Sequence, residues 1–220
     1  GDIWYRASGV IDLSTRKKRT LNKSLREYCF RIVDDYDNFS AFRRKNIRPI
    51  IDQLSKFDLK RYFVPLDVRD LIHYYTKDAE SFINQWIEKD DRKGLLILGD
   101  FGTGKSTLVA HVSVKLARRF LRMPESRIPI FVPLRDVEMI SKESILNVVR
   151  RVINTDWETI SWLAESGRLV FILDGFDEIM KRTDWRKTLA DFQAVVDLFC
   201  NRNSKVIVTC RTHYFLKDSY

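Results

Sequence analysis

Gly99-Asp100-Phe101-Gly102-Thr103-Gly104-Lys105-Ser106, followed by Thr107, is the stretch that decides the fold. Its spacing is Gly-x-x-x-x-Gly-Lys-Ser/Thr without a mismatch. Leu95 to Leu98, just before it, is a fully apolar run, as a strand buried in a parallel sheet requires. Lys105 to Leu121, just after it, has helical spacing. A strand that curls through glycines into a helix turns its backbone N–H groups inward, because glycine tolerates the positive φ such a curl needs. The helix N-terminus adds a partial positive charge, so the loop suits an anion such as phosphate.

A mechanism follows for each residue type. Lys105 would reach the β- and γ-phosphates of a nucleotide, Ser106 would offer its hydroxyl to Mg²⁺, and Thr107 would sit near the α-phosphate. Downstream, Leu169-Val170-Phe171-Ile172-Leu173-Asp174 is an apolar strand ending in a carboxylate, which in this setting orients Mg²⁺ beside the phosphate loop. Gly175-Phe176-Asp177-Glu178 follows at once. Crowding two more acids there is costly unless a cation or a proton transfer uses them, so Asp177 or Glu178 is expected to position and polarise an attacking water. Lys205 to Cys210 is a third apolar strand, closing on Arg211. Ligands of parallel sheets lie beyond the carboxyl ends of the strands, which places Arg211 near the γ-phosphate; Thr209 or Thr212 offers a further hydrogen bond there.

Between these motifs the pattern alternates strand and helix. Ile128 to Leu134 reads as a strand with Pro129 and Pro133 restricting its ends. Ser144 to Ile153, Trp157 to Ala164 and Trp185 to Phe199 read as helices, as do residues 78–89 with Phe82, Ile83, Trp86 and Ile87 on one side. Alternation of this kind implies a parallel sheet covered on both faces. The expected fold is α/β, a three-layer P-loop NTPase of the ASCE type, preceded by an N-terminal helical segment. Residues 1–60 are expected to be a helical linker or the remnant of an upstream domain. Within them, Leu21, Leu25, Tyr28, Cys29 and Ile32 have helical spacing, residues 1–19 show no period, and Pro49 starts a further helix. Residues 61–220 are expected to be the nucleotide-binding domain, C-terminally truncated because the chain stops soon after a strand.

Composition narrows the class. The chain has 220 residues and a net charge of +9. Residues 1–61 hold 15 Lys/Arg against 8 Asp/Glu, so most of the excess lies upstream of the motifs. A nucleic-acid or acidic-partner surface is one reading of that stretch, and a solvated helical face is the other. Three widely spaced cysteines, Cys29, Cys200 and Cys210, support neither a zinc site nor a disulfide framework. His73, His111 and His213 lack ligand spacing, and no apolar run approaches a membrane span. The expected location is the cytoplasm.

Taken together, Gly99–Ser106, Asp174-Gly175-Phe176-Asp177-Glu178 and Cys210-Arg211-Thr212 resemble the Walker A, Walker B and sensor 1 motifs of NACHT NTPases, members of the STAND group that includes the NOD-like receptors. Ile130 to Asp136 is similar to the strand after that family's first helix. The resemblance implies ATP and ADP with Mg²⁺ as ligands, and slow or regulatory hydrolysis. It implies an ADP-bound closed state and an ATP-bound state that self-associates, with effector and sensor domains flanking the core. Bacterial members of similar style serve antiphage defence. The resemblance also makes Tyr62 to Val68 a candidate contact for the base. Two readings stand beside it: another ASCE ATPase or phosphotransferase, or a nucleic-acid-binding module built on the basic N-terminal stretch.

Overall fold

A computed structural model describes residues 15–37, 65–69, 76–89, 92–137, 141–180, 190, 192–193, 196–197 and 203–214. Four strands form a parallel sheet: β3 (Gly94–Leu98), β4 (Ile128–Pro133), β5 (Leu169–Asp174) and β6 (Lys205–Cys210), in the order β3-β6-β5-β4. A separate antiparallel pair, β1 (Asp67–Arg69) and β2 (Thr76–Asp78), precedes them. The helices are α1 (Thr15–Asp37), α2 (Ala79–Lys89), α3 (Lys105–Arg122), α4 (Lys142–Ile153), α5 (Trp157–Glu165) and α6 (Phe176–Met180).

The apolar runs make β5 and β6 buried along their whole length. Side chains of a strand alternate between faces, and the two faces find different partners. Leu169, Phe171 and Leu173 of β5, with Val206 and Val208 of β6, join a cluster closed by α1, α4, α5 and α6. Val170 and Ile172 of β5, with Ile207 of β6, join a second cluster closed by α2 and the first turns of α3. The three-layer α/β expectation is therefore met, with a parallel sheet between two helical layers. The register pairs Leu98 with Cys210 and Leu173 with Val208, so the strand ends that bear the motifs lie side by side.

From residue 79 on, the strand and helix limits that the sequence reading gave agree to within two residues, and the hairpin β1–β2 and the short helix α6 are additions. The hairpin β1–β2 has no apolar alternation to announce it. The first helix begins at Thr15, inside the stretch 1–19 that shows no period. It forms there because Leu21, Leu25, Tyr28, Cys29 and Tyr36 make a buried stripe at helical spacing. The expected helices after Pro49 and over most of 185–199, together with His73, Cys200 and Phe215, lie outside the described residues. Of the last helix, 190, 192–193 and 196–197 are helical, and Phe192 packs on Phe176 at 4.0 Å between ring centroids.

Helix α1 is built into the core rather than appended to it. Tyr28 accepts the backbone N–H of Phe131 at 3.1 Å, satisfying a donor on the edge strand β4. Arg26 donates to the Leu121 carbonyl at the end of α3, and Arg31 to the Val152 carbonyl at the end of α4. Both carbonyls belong to last turns, which have no intrahelical donor. At its C-terminus, Tyr36 meets His111 Nδ1 of α3 at 2.8 Å, and His111 Nε2 meets Glu80 of α2 at 3.3 Å; Lys115 also pairs with Glu80. Nε2 facing a carboxylate bears the proton, which leaves Nδ1 to accept from the Tyr36 hydroxyl. Burial pushes the His111 pKa down, and Lys115 acts in the same direction.

Two outcomes are expected. Tyr28→Phe strands the Phe131 N–H and should lower stability by about 1–3 kcal/mol in urea denaturation; an unchanged midpoint would show that the bond contributes nothing. For His111, the folded state resists protonation, so below about pH 6.5 the unfolded chain binds more protons on this residue. Its contribution is present at higher pH and is lost as pH falls through that value. The stability margin of wild type over His111→Gln should therefore shrink between pH 7.5 and 5.5, and parallel curves would refute it.

Candidate nucleotide site

The loop between β3 and α3 has the backbone its glycines permit. Gly102 and Gly104 take φ of +80° and +85°. A Cβ on Gly104 would lie 3.0 Å from Leu66 Cδ1, and one on Gly99 would lie 2.8 Å from Thr103 Oγ1. Gly104 is the N-cap of α3 and supplies no side-chain acceptor, so the first N–H groups of the helix are left to an external one. Lys105 Nζ donates to the carbonyls of Gly99 at 2.6 Å and Asp100 at 2.9 Å, and to Thr103 Oγ1 at 3.3 Å. Thr103 in turn donates to the Asp100 carbonyl. Asp100 and Phe101 are exposed, and Thr107 is half-buried.

Asp174, at the end of β5, is 5% exposed. One of its oxygens accepts Ser106 Oγ at 3.1 Å and Thr209 Oγ1 at 2.5 Å. Thr209 also accepts the Gly175 N–H at 2.9 Å, so one hydroxyl joins the ends of β5 and β6. Burial raises the Asp174 pKa, opposed by both hydroxyls and then by the charges of Arg135 and Lys105. Burial likewise lowers the Lys105 pKa, against the pull of Asp177 and Asp174. The mutual influence of these groups places the loop lysine within electrostatic reach of both carboxylates.

The other two acids are in different surroundings. Asp177, buried in the first turn of α6, is paired by Arg211 Nε at 2.7 Å. The Arg211 guanidinium also lies over the ring of Phe101, 5.4 Å from its centroid, and so links the strand end to the phosphate loop. Glu178 is half-buried beside Gly175, where its carboxylate would lie 3.9 Å from a Cβ at that position. Its charge and those of Asp136 and Asp174 act on Arg135, whose pKa burial lowers.

The structure thus brings Lys105, Ser106, Asp174, Asp177, Glu178 and Arg211 to one end of the sheet. His111 lies further along α3, tied to Tyr36 and Glu80. Of the candidate base-contact segment, Pro65 to Val68 are described, and Leu66 overhangs Gly104. Sequence reasoning assigned no role to Arg135; its position just past the carboxyl end of β4 was the available signal. Cys29 and Cys210 are buried, and burial pushes each thiol up to about 12, in keeping with inert side chains. Among the described residues no helix is long and apolar enough to cross a membrane.

The residues fit a nucleotide with Mg²⁺. A Cβ at Gly99 or Gly104 would crowd Thr103 or Leu66, which keeps the loop backbone tight, and Ser106 and Asp174 present two hard oxygens side by side. Among the described residues no cluster of three His, Cys, Asp or Glu forms an all-protein cage. Mg²⁺ does not require one, because it takes one or two protein oxygens with phosphate and water.

Thr209→Val removes a donor to Asp174 and an acceptor for Gly175 at once. We expect a loss of about 1–3 kcal/mol in stability, restored by Thr209→Ser, with the denaturation midpoint as the measurement. Equal midpoints for Val and wild type would mean the hydroxyl does not hold the two strand ends.

The NACHT domain model matches residues 93–218, more than half of the chain. An uncharacterised WD repeat-containing protein of Nostoc sp. is 29% identical over 145 residues, covering 62% of this chain and 9% of the relative. The mouse protein named NACHT, LRR and PYD domains-containing protein 10 is 30% identical over 125 residues, covering 56% of this chain and 17% of the relative. The chain therefore spans less than a fifth of either relative's length. The phosphate loop, the acidic end of β5 and the arginine after β6 all fall inside the matched region, and the chain belongs to the NACHT domain family.

Proposed function

We propose that this chain is the ATP-binding and slowly hydrolysing switch of a larger STAND protein, with residues 61–220 as its nucleotide-binding domain. The observation that supports this best is the Ser106–Asp174 hydrogen bond, which joins the phosphate loop to the acidic strand end. In this reading the loop N–H groups and Lys105 bind the β- and γ-phosphates. Ser106 and Asp174 would hold Mg²⁺, which when bound supplies charge neutralisation on the phosphate oxygens. Leu66 and its neighbours contact the base.

The carboxylates then divide their work. Asp177 is already committed to Arg211, so it positions that guanidinium toward the γ-phosphate. Glu178, without that ion pair, is the better acceptor for a proton from an attacking water. Slow turnover is consistent with both cations being engaged: Lys105 by loop carbonyls and Arg211 by Asp177. Each must exchange those contacts for phosphate oxygens. Exchange of this kind is what a switch needs, since nucleotide then alters contacts at several strand ends together. Self-association, flanking effector and sensor domains, a role in innate immune or antiphage defence and a cytoplasmic location complete the proposal.

The test is binding of fluorescent ATP, ADP and GTP with Mg²⁺, followed by phosphate release. Adenine-selective binding should be abolished by Lys105→Ala. Glu178→Gln should keep binding and cut turnover by about 10²-fold or more, while Asp177→Asn should weaken ATP discrimination from ADP. Undiminished binding by Lys105→Ala would remove the basis of the proposal.

A further inference from the structure

A cleft of about 730 Å³ lies between α1 and the α4–α5 connection, and it shares no residue with the nucleotide site. Its volume is within the range of small-ligand sites. Its lining is rich in donors: the guanidinia of Arg150 and Arg151, the amides of Asn147 and Asn154, and the hydroxyls of Ser24 and Thr155. One acid, Asp156, is present, and it already accepts the Thr159 N–H as the N-cap of α5.

Arg150 and Arg151 occupy the last turn of α4, where a cation offsets the negative end of the helix dipole. That end amounts to about half an elementary charge, so two guanidinia exceed it. Both arginines are exposed, and among the described residues neither has a carboxylate partner. The Asn154 backbone is left-handed, at φ +54°, which turns the chain from α4 into α5. On the opposite wall, the α1 backbone leads within a turn from Thr20 and Leu21 to the run Arg16-Lys17-Lys18-Arg19.

We propose that this cleft is a second anion site that takes a small phosphate-bearing ligand. Arg150 and Arg151 are consecutive on the helix and so leave it in different directions; both line the cleft, so each offers a fork to a ligand that spans it, and neutral amide and hydroxyl donors can complete the shell. A ligand bound there would join α1 to α4. Since α1 also touches the phosphate-loop helix through Tyr36 and His111, occupancy would stabilise the packing around that helix.

The experiment is calorimetric titration of Lys105→Ala with pyrophosphate at low salt, so that the phosphate loop is silenced. Saturable binding is expected, weakened at least tenfold by adding Arg150→Gln and Arg151→Gln. Should that triple variant fail to fold by circular dichroism, Asn154→Gly removes a donor while keeping the backbone conformation, and it should weaken binding severalfold. The proposal is overturned if Lys105→Ala does not bind pyrophosphate, or if the arginine or Asn154 variants bind as tightly as their parent. It is equally overturned if succinate binds as well as pyrophosphate, or if these arginines are needed for duplex DNA and not for pyrophosphate.

Discussion

A carboxylate buried at the end of a strand is an unfavourable thing to build, and the architecture of this domain depends on how Asp174 is accommodated. Desolvation pushes its pKa up and disfavours the charged form. Two hydroxyls oppose that, and they come from different parts of the chain: Ser106 from the start of α3 and Thr209 from the end of β6. For both to arrive, β6 must stand between β3 and β5, in the register that sets Leu173 opposite Val208. A last strand added at the sheet edge would leave Asp174 beside an apolar neighbour and Gly175 without its acceptor. The strand order is thus a condition for the chemistry at its end.

That dependence explains which features were legible in the sequence. The strands were readable because burial on both faces demands continuous apolar runs, as in Leu169-Val170-Phe171-Ile172-Leu173. The phosphate loop was readable because its glycines and Lys105 are fixed by local backbone geometry. Strand order was not readable, because nothing in Lys205 to Cys210 says which neighbours it will have. The division between Asp177 and Glu178 was hidden for the same reason: the pairing of Asp177 with Arg211 joins residues 34 positions apart. Arg135 follows a strand whose end lies near β5 only because β4 pairs with it, and no local pattern marks that.

Helix α1 shows a different limit. Its buried stripe was legible as a period, yet a period does not say where the helix docks. It docks on the edge of β4 and on the last turns of α3 and α4, where Tyr28 accepts the Phe131 N–H and Arg26 and Arg31 donate to helix-end carbonyls. Basic residues that looked like a solvated face include two whose guanidinia reach helix-end carbonyls. Charge counting treats all arginines alike, whereas here geometry separates structural ones, Arg26 and Arg31, from Arg150 and Arg151, which face a cleft.

The cations of the site have protein partners of their own. Lys105 donates to loop carbonyls and Arg211 pairs with Asp177. Replacing a hydrogen-bonded partner with a phosphate oxygen yields only the difference between two good interactions, which is small compared with either. On the proposed function, such a site would turn over slowly. On the same reading it would weigh one phosphate more or less, because releasing Arg211 from Asp177 calls for a charge at the end of β6 and not merely an occupied loop. On the function proposed above, the discriminating element would be the Arg211–Asp177 pair together with the Phe101 ring beside the guanidinium, because these contacts join the end of β6 to α6 and to the loop that opens α3.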